Sequence, residues 1–475
     1  MSTSPRDRFL NTLRGALPFT PTKDQSLALE ALTDFIGYSN PHELFLLKGY
    51  AGTGKTSLIQ ALVETLPLFK RQCVLLAPTG RAAKVITQYS QQKAFTIHRH
   101  IYRLQTDGRG RPLFTVRPNR ARHTLFIVDE ASMIADQPGE HAGSLLDDLL
   151  QFAGSGYNCR LLLVGDTAQL PPVHTSESPA LDADYLARHY SLEAKAVELT
   201  EVMRQQAEST LLKNATALRQ LQVGGVPYAF PQFICGSDLI RLQEGFEVEE
   251  ALNEALSEVG REETVIITRS NKRANLYNQQ MRQRVLWQED EISSGDLLMV
   301  VKNNYHWLPN DSSLGFIANG DIVELLEIYE LPELYGRRFG RVKLRFIDHP
   351  SHPSFEAIIF LDTLDYPGPS LPYDELRQFY QVVLQDYADI PNRKEQLLQL
   401  KNNPYANALQ VKFASALTCH KAQGGQWSRV FIEHPWRPEE EIDLDYLRWL
   451  YTALTRAKER VYLMGFPDTY FSAGS

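Results

Sequence analysis

Apolar positions along this chain fall into two rhythms. Short unbroken apolar runs recur at Leu44–Leu47, Leu125–Val128 and Leu161–Val164, each closing on a turn that carries glycine or acid. Such runs suit strands buried on both faces of a parallel sheet. After the first run, Leu58, Ile59, Leu62, Val63 and Leu66 stand at helical spacing. Further on, TVIIT (264–268), LQVKFASALT and RVFIEH predict strands, with helices expected over Asn271–Arg284 and Asp445–Lys458 and RVYLMG closing a second sheet. Between these, GDLLMVVKN, GDIVELLEIYEL, GRVKLRFIDH and EAIIFLDTL alternate as strands, and Tyr373–Gln399 turns helical and charged.

The junction between the first strand and its helix carries chemistry. GYAGTGKT places Gly49, Gly54, Lys55 and Thr56 at every fixed position of a phosphate-binding loop, and the strand before and helix after supply its required context. Backbone N–H groups of Gly49, Gly52, Thr53, Gly54 and Ser57 would close around phosphates, Lys55 would reach the β- and γ-phosphates, and the Thr56 hydroxyl would ligate Mg²⁺. The second strand ends in Asp129 and Glu130. Asp129 is expected to hold the Mg²⁺ water shell, and Glu130 to polarise the attacking water. Past the third strand, Asp166 and Gln169 sit at the edge where ligands of a parallel sheet bind, with Gln169 expected to sense the γ-phosphate. RSNKRANLYN lacks the acid of a guanine-reading NKxD, since position 274 is Ala, so the expected base is adenine.

Composition sharpens the picture in three places. At 475 residues the chain is expected to hold two to four domains. No apolar run approaches the roughly 18 residues of a spanning helix, and four well-separated cysteines fit reduced thiols in a cytoplasmic compartment. A net charge of −8 means that any nucleic acid must be held in a local basic groove. Thr79, Gly80 and Arg81 combine a hydroxyl, close backbone approach and a cation suited to sugar-phosphate contact, and Thr418, His420, Lys421, Gln423 and Gly424 repeat the mixture in the other half. Between Phe95 and Leu125 seven arginines (Arg99, Arg103, Arg109, Arg111, Arg117, Arg120, Arg122) face the single acid Asp107, within a hairpin pattern turning at Asp107–Gly108. Phe95, His98 and Tyr102 offer faces for base stacking.

Together the segments resemble the superfamily 1 helicases of subgroup B, RecD-like and Dda-like. The resemblance rests on FTPTKDQ, GYAGTGKT, APTGRAAKVI, FTIHRHI, IVDEASM, GDTAQLPPV, LTEVMRQ, ALTCHKAQGGQW and LYTALTRAKERVYLMG. It implies an α/β fold of two tandem RecA-like lobes, the first over 1–94 and 124–200 and the second over 201–320 and 409–475. A basic hairpin, the duplex-splitting pin, is inserted at 95–123, and an SH3-like barrel with a helical extension at 321–408. It implies that Gln25 reads adenine, that Gly424 lies against the nucleotide, and that Arg204 and Arg456 are phosphate-facing arginines supplied by the second lobe. The implied activity is ATP- and Mg²⁺-dependent unwinding of DNA, 5′-to-3′ along a single strand, at single- to double-strand junctions and alongside replication or repair proteins, with a monomer sufficient. A nucleic-acid-stimulated ATPase subunit without unwinding, or an RNA helicase, fits the same motifs.

Overall fold

The computed structural model describes residues 4–37, 40, 42–106, 112–137, 143–203, 209–226, 228–309, 312, 314–435 and 442–471. The three apolar runs become central strands of an all-parallel six-stranded sheet. Its order is Ala94–Thr96, Gln72–Ala77, Thr124–Val128, Arg160–Gly165, Glu43–Gly49, Glu193–Leu199. Alternate residues serve opposite faces. Phe45, Leu47, Ile127 and Val164 pack under the helices Pro5–Gly15, Lys23–Gly37 and Lys55–Thr65, while Leu44, Leu46, Phe126 and Leu163 pack under Leu145–Ser155. This double burial is why the runs are unbroken rather than alternating.

A second parallel sheet follows, ordered Ala416–Thr418, Thr264–Thr268, Trp427–Glu433, Ala457–Met464, Leu239–Leu242. RVYLMG therefore does not close it; the short Leu239–Leu242 strand lies outside, carrying too few apolar residues to register as a run. The expected Asp445–Lys458 helix is Leu444–Leu454. Its early end puts Arg456 in the tight turn into the next strand. The helix at Asn271 is α-helical only to Gln280 and finishes as a π-helical turn, Met281–Val285.

The interruption is a closed five-stranded barrel. Leu297–Val300 pairs with Ile322–Glu330 and Leu409–Phe413, Phe355–Phe360 pairs with Leu409–Phe413 and Arg337–Phe346, and Arg337–Phe346 pairs back onto Ile322–Glu330. Leu297–Val300 and Leu409–Phe413, expected in the second lobe, thus belong to the barrel, which reaches beyond 321–408 at both ends. Helices Tyr373–Gln385 and Arg393–Asn402 extend from it, the first docking Leu376, Phe379 and Val383 against Phe339 and Phe360. In the first lobe, Tyr102–Thr106 and Pro112–Val116 form the expected two-stranded hairpin; its turn, with Arg109 and Arg111, lies outside the described residues, as does Arg204.

Candidate nucleotide site and nucleic-acid channel

A cavity of about 650 Å³ opens at the carboxyl edge of the first sheet, between the lobes. Gly52, Gly54, Lys55, Thr56, Ser57, Asp129, Glu130 and Gln169 line it from one side, and Gly424, Thr455 and Arg456 from the other. The loop reverses through left-handed backbone at Gly52 (φ 74°) and Gly54 (φ 87°), conformations that favour glycine. Lys55 Nζ donates to the carbonyls of Gly49 (2.7 Å) and Tyr50 (3.0 Å), holding the ammonium over the loop.

Acids gather at the cavity floor. Asp129 accepts from the backbone N–H of Glu130 (2.8 Å) and from the Tyr89 hydroxyl (3.0 Å). Burial, reinforced by the Glu130 charge, pushes its carboxyl up to about 6. Asp166 is also raised by burial. Gln169 is 7% exposed, and its Oε1 has no hydrogen-bond partner. Arg456, 2% exposed, bonds the carbonyls of Thr452 (Nε, 3.0 Å) and Gly425 (Nη1, 3.3 Å) and sets Nη1 3.6 Å from Glu130 Oε1. An arginine of the second lobe thus faces the acid of the first across the cavity. The chemistry of this set fits an anionic, metal-bearing ligand: a clustered pair of carboxylates, a cation from each lobe, and an unpartnered amide oxygen.

The second lobe also touches the loop directly, through a residue the sequence did not single out. The Tyr451 hydroxyl accepts from the Ala51 N–H (2.9 Å) and donates to Asp166 Oδ2 (2.7 Å). Next to it, the Leu170 N–H donates to Thr452 Oγ1 (2.8 Å), and Gln423 Nε2 donates to the Leu170 carbonyl (2.7 Å). Tyr451 lies within the quoted LYTALTRAKE, but as one tyrosine on an amphipathic helix it carried no signal of its own.

A separate cavity of about 770 Å³ runs between the first lobe, the barrel with its helical extension, and the second lobe. Thr79, Gly80, His98, His420 and Lys421 line it, together with Lys302. Among the described residues, no Asp or Glu lines it. Burial lowers Lys421 to about 8. Among the described residues three segments touch both cavities: residues 129–137, and one more from each lobe. The helix Gly80–Ser90 begins on the channel and presents Ala82, Val85 and Tyr89 to the nucleotide cavity; Cys419–Gln426 presents His420 and Lys421 to the channel, Gly424 and Gln426 to the nucleotide cavity. Helix Gly80–Ser90 and the Cys419–Gln426 segment meet at Gly424 (φ 72°), where a Cβ would lie 2.8 Å from that of Ala82 and 3.1 Å from Thr79 Oγ1.

Two families match the sequence: one described as AAA domain over residues 22–232, the other as UvrD-like helicase C-terminal domain over 413–464. The ATP-dependent RecD2 DNA helicase of Deinococcus radiodurans is 34% identical over 180 residues, covering 37% of this chain and 22% of that protein. The ATP-dependent DNA helicase dda of Enterobacteria phage T4 is 29% identical over 164 residues, 34% of this chain and 35% of that one. Each of these two helicases is similar to this chain over about a third of the chain's length. The chain spans about a fifth of the first relative's length and about a third of the second's. A solved structure described as "Structural Basis for DNA Unwinding at Forked dsDNA by two coordinating Pif1 helicases" aligns with TM-score 0.48 and 16% identity, over 96% of this chain and 94% of that one.

Several residues of this chain depart from their expected places. Gln25 does not line the nucleotide cavity: Nε2 donates to the Thr53 carbonyl (2.9 Å), bracing the loop from behind, and Oε1 accepts from the Thr22 N–H (2.9 Å) at the start of its own helix. Gly49 and Thr53 are likewise scaffold rather than lining, Thr53 Oγ1 bonding the Tyr50 carbonyl (2.8 Å). Arg81 leaves the channel and stacks its guanidinium 4.0 Å from the Trp427 ring centroid, tying the lobes together. Gln423 is spent on Leu170, and Thr418 ends a buried strand. Phe95 lines a different cleft, beside Lys84 and His349. Of the seven arginines, Arg99 is buried in an ion pair with Asp321 of the barrel (2.9 Å), and Arg117 bonds the carbonyls of Arg99 (2.5 Å) and Tyr102 (2.7 Å). Arg109 and Arg111, expected as nucleic-acid contacts, fall outside the described residues.

Among the described residues no helix is long and apolar enough to cross a membrane.

Proposed function

We propose that this chain is an ATP-driven motor that moves along single-stranded DNA, 5′-to-3′, and separates duplex at a junction. The observation that carries the reading is that one segment from each lobe, Gly80–Ser90 and Cys419–Gln426, touches both the nucleotide cavity and the channel that holds Lys302 and Lys421. A change in lobe separation around the nucleotide is thereby a change in spacing between Thr79–Gly80 and His420–Lys421 on the strand. Closure shortens the grip, opening resets it, and alternation yields a step.

In this reading Lys55 binds the phosphates, Glu130 takes the proton of the attacking water, the Gln169 amide orients that water, and Arg456 meets charge that develops as the terminal phosphate leaves. Thr56 and Asp129 would hold Mg²⁺, which when bound neutralises phosphate charge; the raised carboxyl of Asp129 fits a site that a divalent cation would relieve. Arg204 follows Met203, whose N–H donates to the Gly52 carbonyl (3.0 Å), and is assigned to the same phosphates.

Strand displacement on duplexes carrying either a 5′ or a 3′ single-stranded tail, with and without ATP, tests the reading. ATP-dependent displacement confined to 5′-tailed duplex is expected. DNA-stimulated ATP turnover without displacement from either tail would replace the motor with a clamp, and stimulation by RNA alone would replace the substrate.

A further inference from the structure

The channel's cations can grip phosphates but leave open what the bases meet. Its fourth wall is the helical extension, which contributes Ser370, Leu371, Tyr373 and Leu376. Tyr373 is 78% exposed, whereas Phe316, the other Phe, Tyr or Trp on the wall, is 7% exposed. The backbone carrying Tyr373 is fixed on both sides. The Leu371 N–H donates to Gln410 Oε1 of a barrel strand (3.0 Å), the Leu376 N–H to the Pro372 carbonyl (3.1 Å), and both leucine side chains are buried. Exposure alone selects nothing, since Trp287 and Phe246 are similarly bare (81% and 68%), but neither lies on the channel. Glu375, two positions on, has its charge matched by Arg337 (3.0 Å).

Resting on the single-strand reading above, we propose that Tyr373 is a base-stacking platform and that the helical extension serves to hold it over the channel. A pinned backbone with an exposed ring loses little freedom on binding, and a π-face accepts any base, as a motor indifferent to sequence requires. The strand then lies with phosphates toward Lys302 and Lys421 and at least one base toward the extension.

Fluorescence anisotropy with oligothymidylates, intact or with one abasic site scanned along the strand, reads this directly. Tyr373→Ala is expected to weaken binding of the intact strand about tenfold, and Tyr373→Phe less than twofold. At the sensitive position an abasic site should cost the unmodified protein about tenfold and Tyr373→Ala nothing further. If Tyr373→Ala binds intact strands normally, or still pays the abasic penalty, the platform is refuted, while a concurrent loss on Lys421→Gln leaves the channel standing. A protein that binds no strand refutes the parent reading and this one with it.

Discussion

Arg99 separates a structural reading of the arginine segment from a nucleic-acid one. Its guanidinium bonds Asp321 Oδ2 (2.9 Å), the Phe316 carbonyl (3.1 Å) and His349 Nε2 (2.8 Å), all on the barrel side, while Lys84 stands 3.4 Å from Asp348 beside it. Side chains of Arg99 and Asp321 are 8% and 1% exposed. Burial raises Asp321 from 3.8 to about 6 despite the pull of Arg99, which corresponds to roughly 3 kcal/mol at neutral pH. Arg99→Ala strands that carboxylate and should cost about 3–5 kcal/mol. An acid whose folded pKa lies above its unfolded value stabilises most when protonated, and that stabilisation fades as pH rises from 3.8 through about 6. Without Arg99 the folded pKa climbs further, so the deficit at pH 7.5 should shrink markedly by pH 5. His349, now held down to about 4 by burial and by the Arg99 charge, moves back up and adds to the recovery. Scanning calorimetry at the two pH values measures this, and Arg99→Ala with Asp321→Asn should regain most of the loss, since removing both partners leaves no orphan charge. An unchanged unfolding transition, or a deficit equal at both pH values and not rescued by the double variant, would refute the latch.

Three further outcomes are expected. Arg456→Ala should lower ATP turnover by about 10³-fold or more with nucleotide binding largely kept, and Arg456→Lys should not restore it, because the fork that also bonds Thr452 and Gly425 is lost; single-turnover hydrolysis measures both. Tyr451→Phe keeps the buried ring but leaves Asp166 and the Ala51 N–H without their partner. Steady-state kinetics should show kcat down roughly tenfold with KM for ATP little changed, in keeping with the worth of a charge-assisted bond. Lys421, at about 8, is partly neutral above that pH and must take up a proton to meet a phosphate. Single-strand affinity should therefore fall between pH 7 and 9, and Lys421→Arg should flatten the profile in an anisotropy titration.

The elements legible in the sequence were those whose signal is local. The phosphate loop declares itself because glycine, lysine and threonine are needed at fixed spacing by one short segment, and Asp129 and Glu130 because a strand buried on both faces must be apolar until it meets the ligand edge. What stayed hidden depends on partners distant in sequence. The barrel borrows Leu409–Phe413 as its fifth strand, and nothing within LQVKF says whether it pairs with Leu298 or with Ile266. Arg81, Gln423 and Arg99 have the residue types of a phosphate grip, but composition cannot tell a cation facing a groove from one facing Trp427 or Asp321.

That error has a physical direction. A motor of the proposed kind, bringing two lobes and a barrel together around a polyanion, needs cations both on the ligand and between the bodies, and both kinds cluster in the same motifs. Discrimination comes from what lies across the gap. Arg81 meets an indole, Arg99 a buried carboxylate, and Arg456 a carboxylate that edges the cavity itself, where it is 21% exposed. Only the last pair leaves its acid open to a competitor. A nucleotide entering the cavity can therefore compete with Glu130 for Arg456 while the contacts of Arg81 and Arg99 stay closed. In the proposed motor, the contacts that answer to the nucleotide are therefore those of Arg456 and Tyr451, which meet the first lobe at the cavity, while Arg99 and Asp321 serve the joint between that lobe and the barrel.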